Sequence, residues 1–151
     1  MDDRAQAAQP DIADLSLKIL TGTPDAVLFA DRDGIIRFWN HGAEQMFGFS
    51  REQALARSLD LIIPERLRER HWAGYRHVLE TEVSRYQTAL LSVPALHKEG
   101  HQLSCEFSIV MIRDKKGQVS GFAAIMRDVS ERWEKEKMLK KQLADLQKTS
   151  A

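Results

Sequence analysis

The hydrophobic positions change period along the chain, and the changes divide it into strands and helices. Ala26–Ala30 is a short apolar run, Asp33-Gly34 is a turn signal, and Ile35–Trp39 is a second apolar run. This pattern predicts a β-hairpin, because glycine accepts the positive φ that a tight turn needs. Asn40 and Ser50 each precede a short helical segment, since both side chains are good helix N-caps.

Beyond Thr81 the period becomes two, which predicts three strands over Tyr86–Leu96, Leu103–Ile112 and Val119–Met126. Glycine-containing turns separate them. In the middle strand apolar side chains alternate with polar ones, so one face of the sheet is expected to be buried. The order of elements predicts an α+β fold: one five-stranded antiparallel sheet with helices packed over one face.

The segment Ile62–Thr81 between the two groups of strands has helical periodicity. Pro64 suits the first turn of a helix, because its ring presets φ and its missing N–H has no partner to lose there. An imidazole, His71, lies on the apolar face, whereas His77 lies about 120° away and is expected at a rim or in solvent. The positions sharing one face are Leu67, His71, Gly74, Tyr75 and Val78.

Amphipathic helices are predicted at both ends of the chain. The first ends near Gly22 and Pro24, and Ser130 is predicted to cap the last. The last helix has an apolar stripe with nothing obvious in its own chain to cover it, so a parallel coiled coil in a homodimer is expected. The alternative is a helix that lies back on the domain or frays. The predicted units are residues 1–22, 23–129 and 130–151.

Composition narrows the function. Lysine plus arginine and aspartate plus glutamate number 22 each, so no basic field is available to attract nucleic acid or an anionic membrane. No apolar run approaches the roughly 20 residues that span a bilayer. The single cysteine, Cys105, excludes an internal disulfide and a multi-cysteine zinc site. We expect a cytoplasmic protein.

No catalytic motif is visible: the chain has no phosphate-binding loop, no nucleophile elbow and no H-E-x-x-H. Motifs of a histidine kinase, cyclase or phosphodiesterase are also absent from the sequence. We therefore expect that the chain is not an enzyme and that any output domain or protein is not in this chain.

Two longer strings carry a family resemblance. DRDGIIRFWNHGAEQMFGFS and GFAAIMRDVSER closely resemble the first hairpin with its asparagine-capped helix, and the last strand with its exit, of PAS domains. The resemblance covers about residues 24–130. It implies a sensory and dimerisation module that passes its signal through a helix such as the one after Ser130.

The central string RHWAGYRHVLET is similar to the helix of the haem-PAS gas sensors FixL and DOS. That resemblance implies b-type haem, with His71 as the axial ligand to iron, and His77 and Arg85 near the propionates. It runs without a gap from His71 to Gly100. The other residues that it implies around a cofactor are Leu67, Tyr75, Tyr86, Ala89, Leu91, Phe107 and Ile109.

The chain departs from the oxygen sensors on the gas-binding side. Where they have a distal arginine or methionine, this sequence has Leu91 and Ala89, and Tyr86 has the only hydroxyl near the start of that strand. The resemblance therefore implies a diatomic gas, with CO or NO favoured over O₂. Two other readings are a cofactor-free dimerisation module and a redox sensor that binds flavin (FAD). The flavin would be non-covalent, because Cys105 is not in the photoreceptor motif.

Overall fold

The computed structural model describes residues 8–84 and 90–150. Its elements in chain order are α1 (Ile12–Gly22), β1 (Ala26–Asp31), β2 (Ile36–Trp39), α2 (His41–Phe47), α3 (Arg51–Ala54), a 3₁₀ turn (Leu59–Ile62), α4 (Glu65–Thr81), β3 (Leu91–Leu96), β4 (Gln102–Arg113), β5 (Val119–Asp128) and α5 (Ser130–Thr149). The strands form one antiparallel sheet in the order β2-β1-β5-β4-β3. The predicted α+β fold is confirmed.

The core lies between one face of the sheet and the helices that follow β2. Trp39 and Phe47 are fully buried, with ring centroids 5.4 Å apart, and they close the end of the core near α2. Small side chains on β1 let the helices approach the central strands. The buried cluster comprises Ala26, Leu28, Ala30, Ile36, Trp39, Ala43, Phe47, Ala54, Leu59, Ile62, Ala95, Leu103, Cys105 and Met126. Burial raises the pKa of the Cys105 thiol to about 12, so this cysteine is a packed apolar residue.

Three local predictions need correction. Ser130 does not cap α5: the N-cap residue is Val129, without a capping side chain, and the Ser130 hydroxyl instead accepts a hydrogen bond from the N–H of Ser104. Gly74 is exposed, because α4 is turned so that the larger Trp72 packs inward. The predicted second strand begins one residue later, since Ile35 forms an isolated bridge to Ser58.

Neither flanking helix buries a side chain within the described part of the chain. Apolar residues of α1 and α5 therefore face solvent in this single copy. Those more than half exposed are Ile12, Leu17, Ile19, Met138, Leu139, Leu143 and Leu146. Among the residues that the structure describes, no helix combines the length and apolar content needed to span a bilayer.

Candidate functional site

The helix α4 is held against the sheet by Trp72. The indole Nε1 donates to Asp60 Oδ1 at 2.8 Å, so the 3₁₀ turn before the helix fixes the ring. The ring also packs on Gly34, where an added Cβ would lie 2.1 Å from Trp72 Cη2. Arg68 reinforces the junction by donating from Nε to the carbonyl of Ile63 at 3.0 Å.

Tyr75 makes the second attachment, one turn further along α4. Its hydroxyl donates to the carbonyl of Asp31, and its ring packs edge-on against Phe122 with centroids 5.0 Å apart. Burial raises the pKa of this phenol, and the carboxylates of Asp31 and Asp33 raise it further. Tyr75 is therefore a neutral hydrogen-bond donor that helps to position the helix.

His71 directly precedes the first of these two anchors in the sequence. Its ring centroid is 4.7 Å from that of Trp72, in an edge-on arrangement, and 5.8 Å from that of Tyr75. The Nδ1 atom is buried and has no hydrogen-bond partner among the described residues. Burial lowers the pKa of the imidazole, an effect that the carboxylate of Asp60 partly opposes. His71 is thus a half-buried imidazole biased towards its neutral form, with a lone pair available for a ligand.

The wall across from α4 is formed by β3 and β4. Leu91 pairs directly with Phe107, and Ile109 pairs with Ala124 of β5, so these side chains share the helix-facing side of the sheet. They are half-buried, although they face inward. No residue of α4 is fully buried either. The fully buried core therefore does not extend to this region. We use the name groove for its half-buried side chains, which are His71 and Trp72 on α4, Leu91 on β3, and Phe107, Ile109 and Met111 on β4.

The remaining predicted site residues fall in three places. Leu67 is half-buried, one turn before His71 on the same side of α4. His77 is exposed. Arg85, Tyr86 and Ala89 lie outside the described residues, so their predicted roles stay predictions.

Two residues of the groove were not among the predicted site residues. Met111 pairs with Phe122, which puts it on the same side of the sheet as Ile109, and the period-two pattern of β4 already contained that signal. Trp72 could not be assigned from the pattern, because its partner Asp60 lies outside the helix in the preceding turn.

Two surface hollows lie away from His71. One, of about 290 Å³, is lined by Arg57, Asp60 and Arg68 among others. The second, of about 400 Å³, lies beside the Asp25–Arg127 ion pair, near the start of β1 and the end of β5. Neither of these two hollows is lined by His71.

The residues of the groove fit haem in chemistry. A buried neutral imidazole is a suitable axial ligand, and no hydrogen bond within the described residues fixes which ring nitrogen carries the proton. A buried polar atom without a partner costs about 1–3 kcal/mol, a cost that a bound ligand removes. The apolar side chains of Leu91, Phe107 and Ile109 suit the face of a porphyrin.

Comparison with known proteins shows similarity to PAS domains and to two sensor proteins. The family model described as PAS fold matches residues 20–134. The oxygen sensor protein DosP of Escherichia coli is 29% identical over 105 residues, which cover 70% of this chain and 13% of DosP. The sensor protein FixL of Bradyrhizobium diazoefficiens is 34% identical over 70 residues, covering 46% of this chain and 12% of FixL. The chain thus spans only a small part of the length of these relatives.

Among solved structures, the crystal structure of the PAS domain of a protein from Colwellia psychrerythraea superimposes with a TM-score of 0.70. It is 26% identical, and the match covers 80% of this chain and 99% of that one. The strand order, the asparagine-capped helix α2 and the long helix α4 of this chain agree with that match. The chain belongs to the PAS-fold family.

Proposed function

We propose that this PAS domain is a sensor that binds b-type haem through His71 and responds to a diatomic gas. One observation carries the proposal: the buried His71 Nδ1 has no hydrogen-bond partner among the described residues. An imidazole with an ordinary packing role is hydrogen-bonded when buried. The similarity to DosP, an oxygen sensor by name, supports the same function.

Each residue of the groove has a definite role in this proposal. His71 supplies the axial nitrogen, and Leu67 and Tyr75 hold the helix face around it. Haem supplies an iron with one further coordination position for a gas. Leu91, Phe107 and Ile109 form the opposite wall and exclude water from it. The exposed His77 would contact a propionate at the rim.

The wall also determines which gas is preferred. The side chains of Leu91, Phe107, Ile109 and Met111 have no hydrogen-bond donor. Bound O₂ depends on polar stabilisation more than CO or NO does. We therefore propose CO or NO as the ligand, and an O₂ affinity comparable with the CO affinity would contradict this.

The strand that forms the wall also holds the start of α5. On β4, the carbonyl of Ser104 accepts from the N–H of Val129 at 2.8 Å, and Glu106 forms an ion pair with Arg132. Phe107 and Ile109 follow directly on the same strand. Displacement of these two side chains by a ligand would move the attachment of α5 and bias its pairing.

The exposed apolar stripes of α1 and α5 support the second part of the proposal, a homodimer through both flanking helices. Leu139, Leu143 and Leu146 are spaced by four and three residues, as in a coiled-coil seam. They are 58–67% exposed in the single copy. A partner helix would remove them from water.

The absorption spectrum after haem reconstitution tests the cofactor. We expect a stoichiometric Soret band in the wild type and its loss in His71→Ala, with recovery when imidazole is added to the variant. His41→Ala, at an exposed histidine on α2 that has no role in the proposed site, should keep the band. Absence of specific haem binding by the wild type, or flavin bands in the purified protein, would overturn the proposal and leave an empty module or a flavin sensor.

A further inference from the structure

The turn between β3 and β4 brings two histidines and a glutamate together, far from His71 in the sequence. His97 and His101 face each other across the turn, where the N–H of His97 donates to the carbonyl of His101 at 2.9 Å. Their rings are stacked, with centroids 4.4 Å apart and planes 18° from parallel. Glu99 lies between them, and one ligand atom from each of the three lies within 4.8 Å of the others.

Two imidazoles and a carboxylate are a common protein ligand set for Zn²⁺, with water completing the coordination. Bonds of about 2.0–2.1 Å to zinc require ligand atoms about 3.4 Å apart, so the most widely separated pair must close by up to about 1.4 Å. His101 and Glu99 are exposed and can make this adjustment without disturbing the core. We propose that His97, Glu99 and His101 form a binding site for a divalent transition metal ion, with Zn²⁺ as the physiological candidate.

A local hydrogen bond favours the tautomer of His97 in which Nδ1 carries no proton. His97 Nδ1 accepts from the N–H of Glu99 at 3.0 Å, so this nitrogen carries a lone pair and no proton when the ring is neutral. A metal ion at Nδ1 would replace this one exposed hydrogen bond. The neutral ring is also the form that binds a metal.

The turn is anchored to the body of the domain, which limits the entropy lost on binding. The N–H of Lys98 donates to the carbonyl of Phe47 at 2.9 Å, and the His97 ring packs against Gly48. The only cation within the turn is Lys98, whose ammonium donates to Gln53 Oε1 on α3 at 3.3 Å. That contact holds its charge towards α3.

A second histidine–carboxylate pair provides the matched control. His41 Nδ1 lies 3.4 Å from Glu44 Oε1 at the start of α2, and His41 is exposed. This pair offers two ligands in place of three. If zinc bound only weakly and non-specifically to exposed histidines, it would bind at His41 about as well as at the β3–β4 turn.

The test is a zinc titration of the full chain without haem, in competition with a chromophoric chelator. We expect one Zn²⁺ per chain and a loss of affinity of at least about tenfold in both His97→Gln and His101→Gln. His41→Gln and His71→Ala should leave the affinity unchanged, which separates this site from the haem proposal. Equal losses in His41→Gln and His101→Gln, or no stoichiometric binding by the wild type, would overturn the proposal.

A second measurement does not depend on affinity. In NMR spectra of the wild type, one equivalent of Zn²⁺ should shift the side-chain resonances of His97 and His101 and leave those of His41 in place. The thermal midpoint should also rise with zinc in the wild type and remain constant in His101→Gln. Shifts distributed over all exposed histidines would show adventitious binding only.

Discussion

The carboxylate of Asp31 holds the first hairpin turn together. Its Oδ1 accepts from the N–H groups of Asp33 and Ile35 at 2.9 and 3.0 Å, and its Oδ2 accepts from Arg37 Nε at 2.7 Å. Burial by itself raises the pKa of the carboxyl group, but the hydrogen bonds outweigh burial, so the pKa of Asp31 lies below its ordinary value. The folded state therefore favours the ionised form.

Replacement of Asp31 by alanine should lower the free energy of unfolding by about 1–2 kcal/mol at neutral pH. Because the pKa is depressed on folding, the unfolded chain binds more protons as the pH falls through about 4, and the contribution is lost there. Urea unfolding at a series of pH values should show the full difference above about pH 5 and a shrinking one below about pH 4.

Asp33→Ala is the control, since its carboxylate accepts no hydrogen bond from the described residues. It should leave the stability nearly unchanged. A difference between Asp31→Ala and wild type that is constant down to pH 3 would contradict the assignment.

Asn40 shows what the sequence could predict about a single residue and what it could not. The prediction that Asn40 caps α2 is confirmed, since Oδ1 accepts from the N–H of Ala43 at 2.9 Å. The same oxygen accepts from Val27, and Nδ2 donates to the carbonyls of Leu20 and Asp25. Capping is a local signal, whereas the ties to α1 and β1 depend on chain segments 13 to 20 residues away.

At the scale of elements, the position of α4 was predictable and its rotation was not. Helical periodicity placed His71 and Tyr75 on the inward side, and both are half-buried. The same periodicity put Gly74 there as well, but the indole of Trp72 takes the inward position by packing on Gly34. A helix face is thus chosen by the largest side chain that finds a partner on the sheet.

The contact between Gly34 and Trp72 leads to a prediction with an internal control. Gly34 has φ +74°, and an added Cβ would overlap the indole ring, whereas Gly117 has φ +80° and open space around it. Alanine at either position is strained by about 1 kcal/mol, and only Gly34→Ala must also displace Trp72. We expect Gly34→Ala to be less stable than Gly117→Ala by about 2 kcal/mol in urea unfolding.

The same experiment reports on the indole itself. Displacement of Trp72 should break its hydrogen bond to Asp60 and change the tryptophan emission of the folded Gly34→Ala variant. Equal stabilities of the two alanine variants would show that the ring does not hold α4 in place.

At the scale of the whole molecule, the first hairpin and the three consecutive final strands followed from the sequence, because turn signals and alternation predict them. The pairing of β1 with β5, which joins these two groups, did not follow, because it links segments far apart in the chain. The extent to which the side chains of the groove are buried could not be predicted from the sequence either. Alternation predicts that Phe107, Ile109 and Met111 point inward, yet all three remain half-buried. How completely a core is filled depends on the distance between layers, which no pattern of residues encodes.

The proposed dimer is tested by Leu143→Lys. A lysine in the apolar seam must be buried or the pairing lost, so the dissociation constant should rise at least about tenfold, measured by sedimentation equilibrium. Ala144→Lys adds the same charge one residue away, outside the seam, and should have little effect. Similar effects of the two substitutions, or a wild type that remains monomeric at about 100 μM, would exclude α5 as the interface.

The three tryptophans sample three environments. Trp39 is 2% exposed and donates to the carbonyl of Phe49, Trp72 is half-buried beside His71, and Trp133 is 46% exposed on α5 beneath the ammonium of Lys137. Intrinsic fluorescence can therefore follow folding, cofactor loading and helix association separately once each indole is isolated by substitution of the other two. Quenching by a coloured ligand should be strongest at Trp72, and a shift on dimerisation should appear at Trp133 alone.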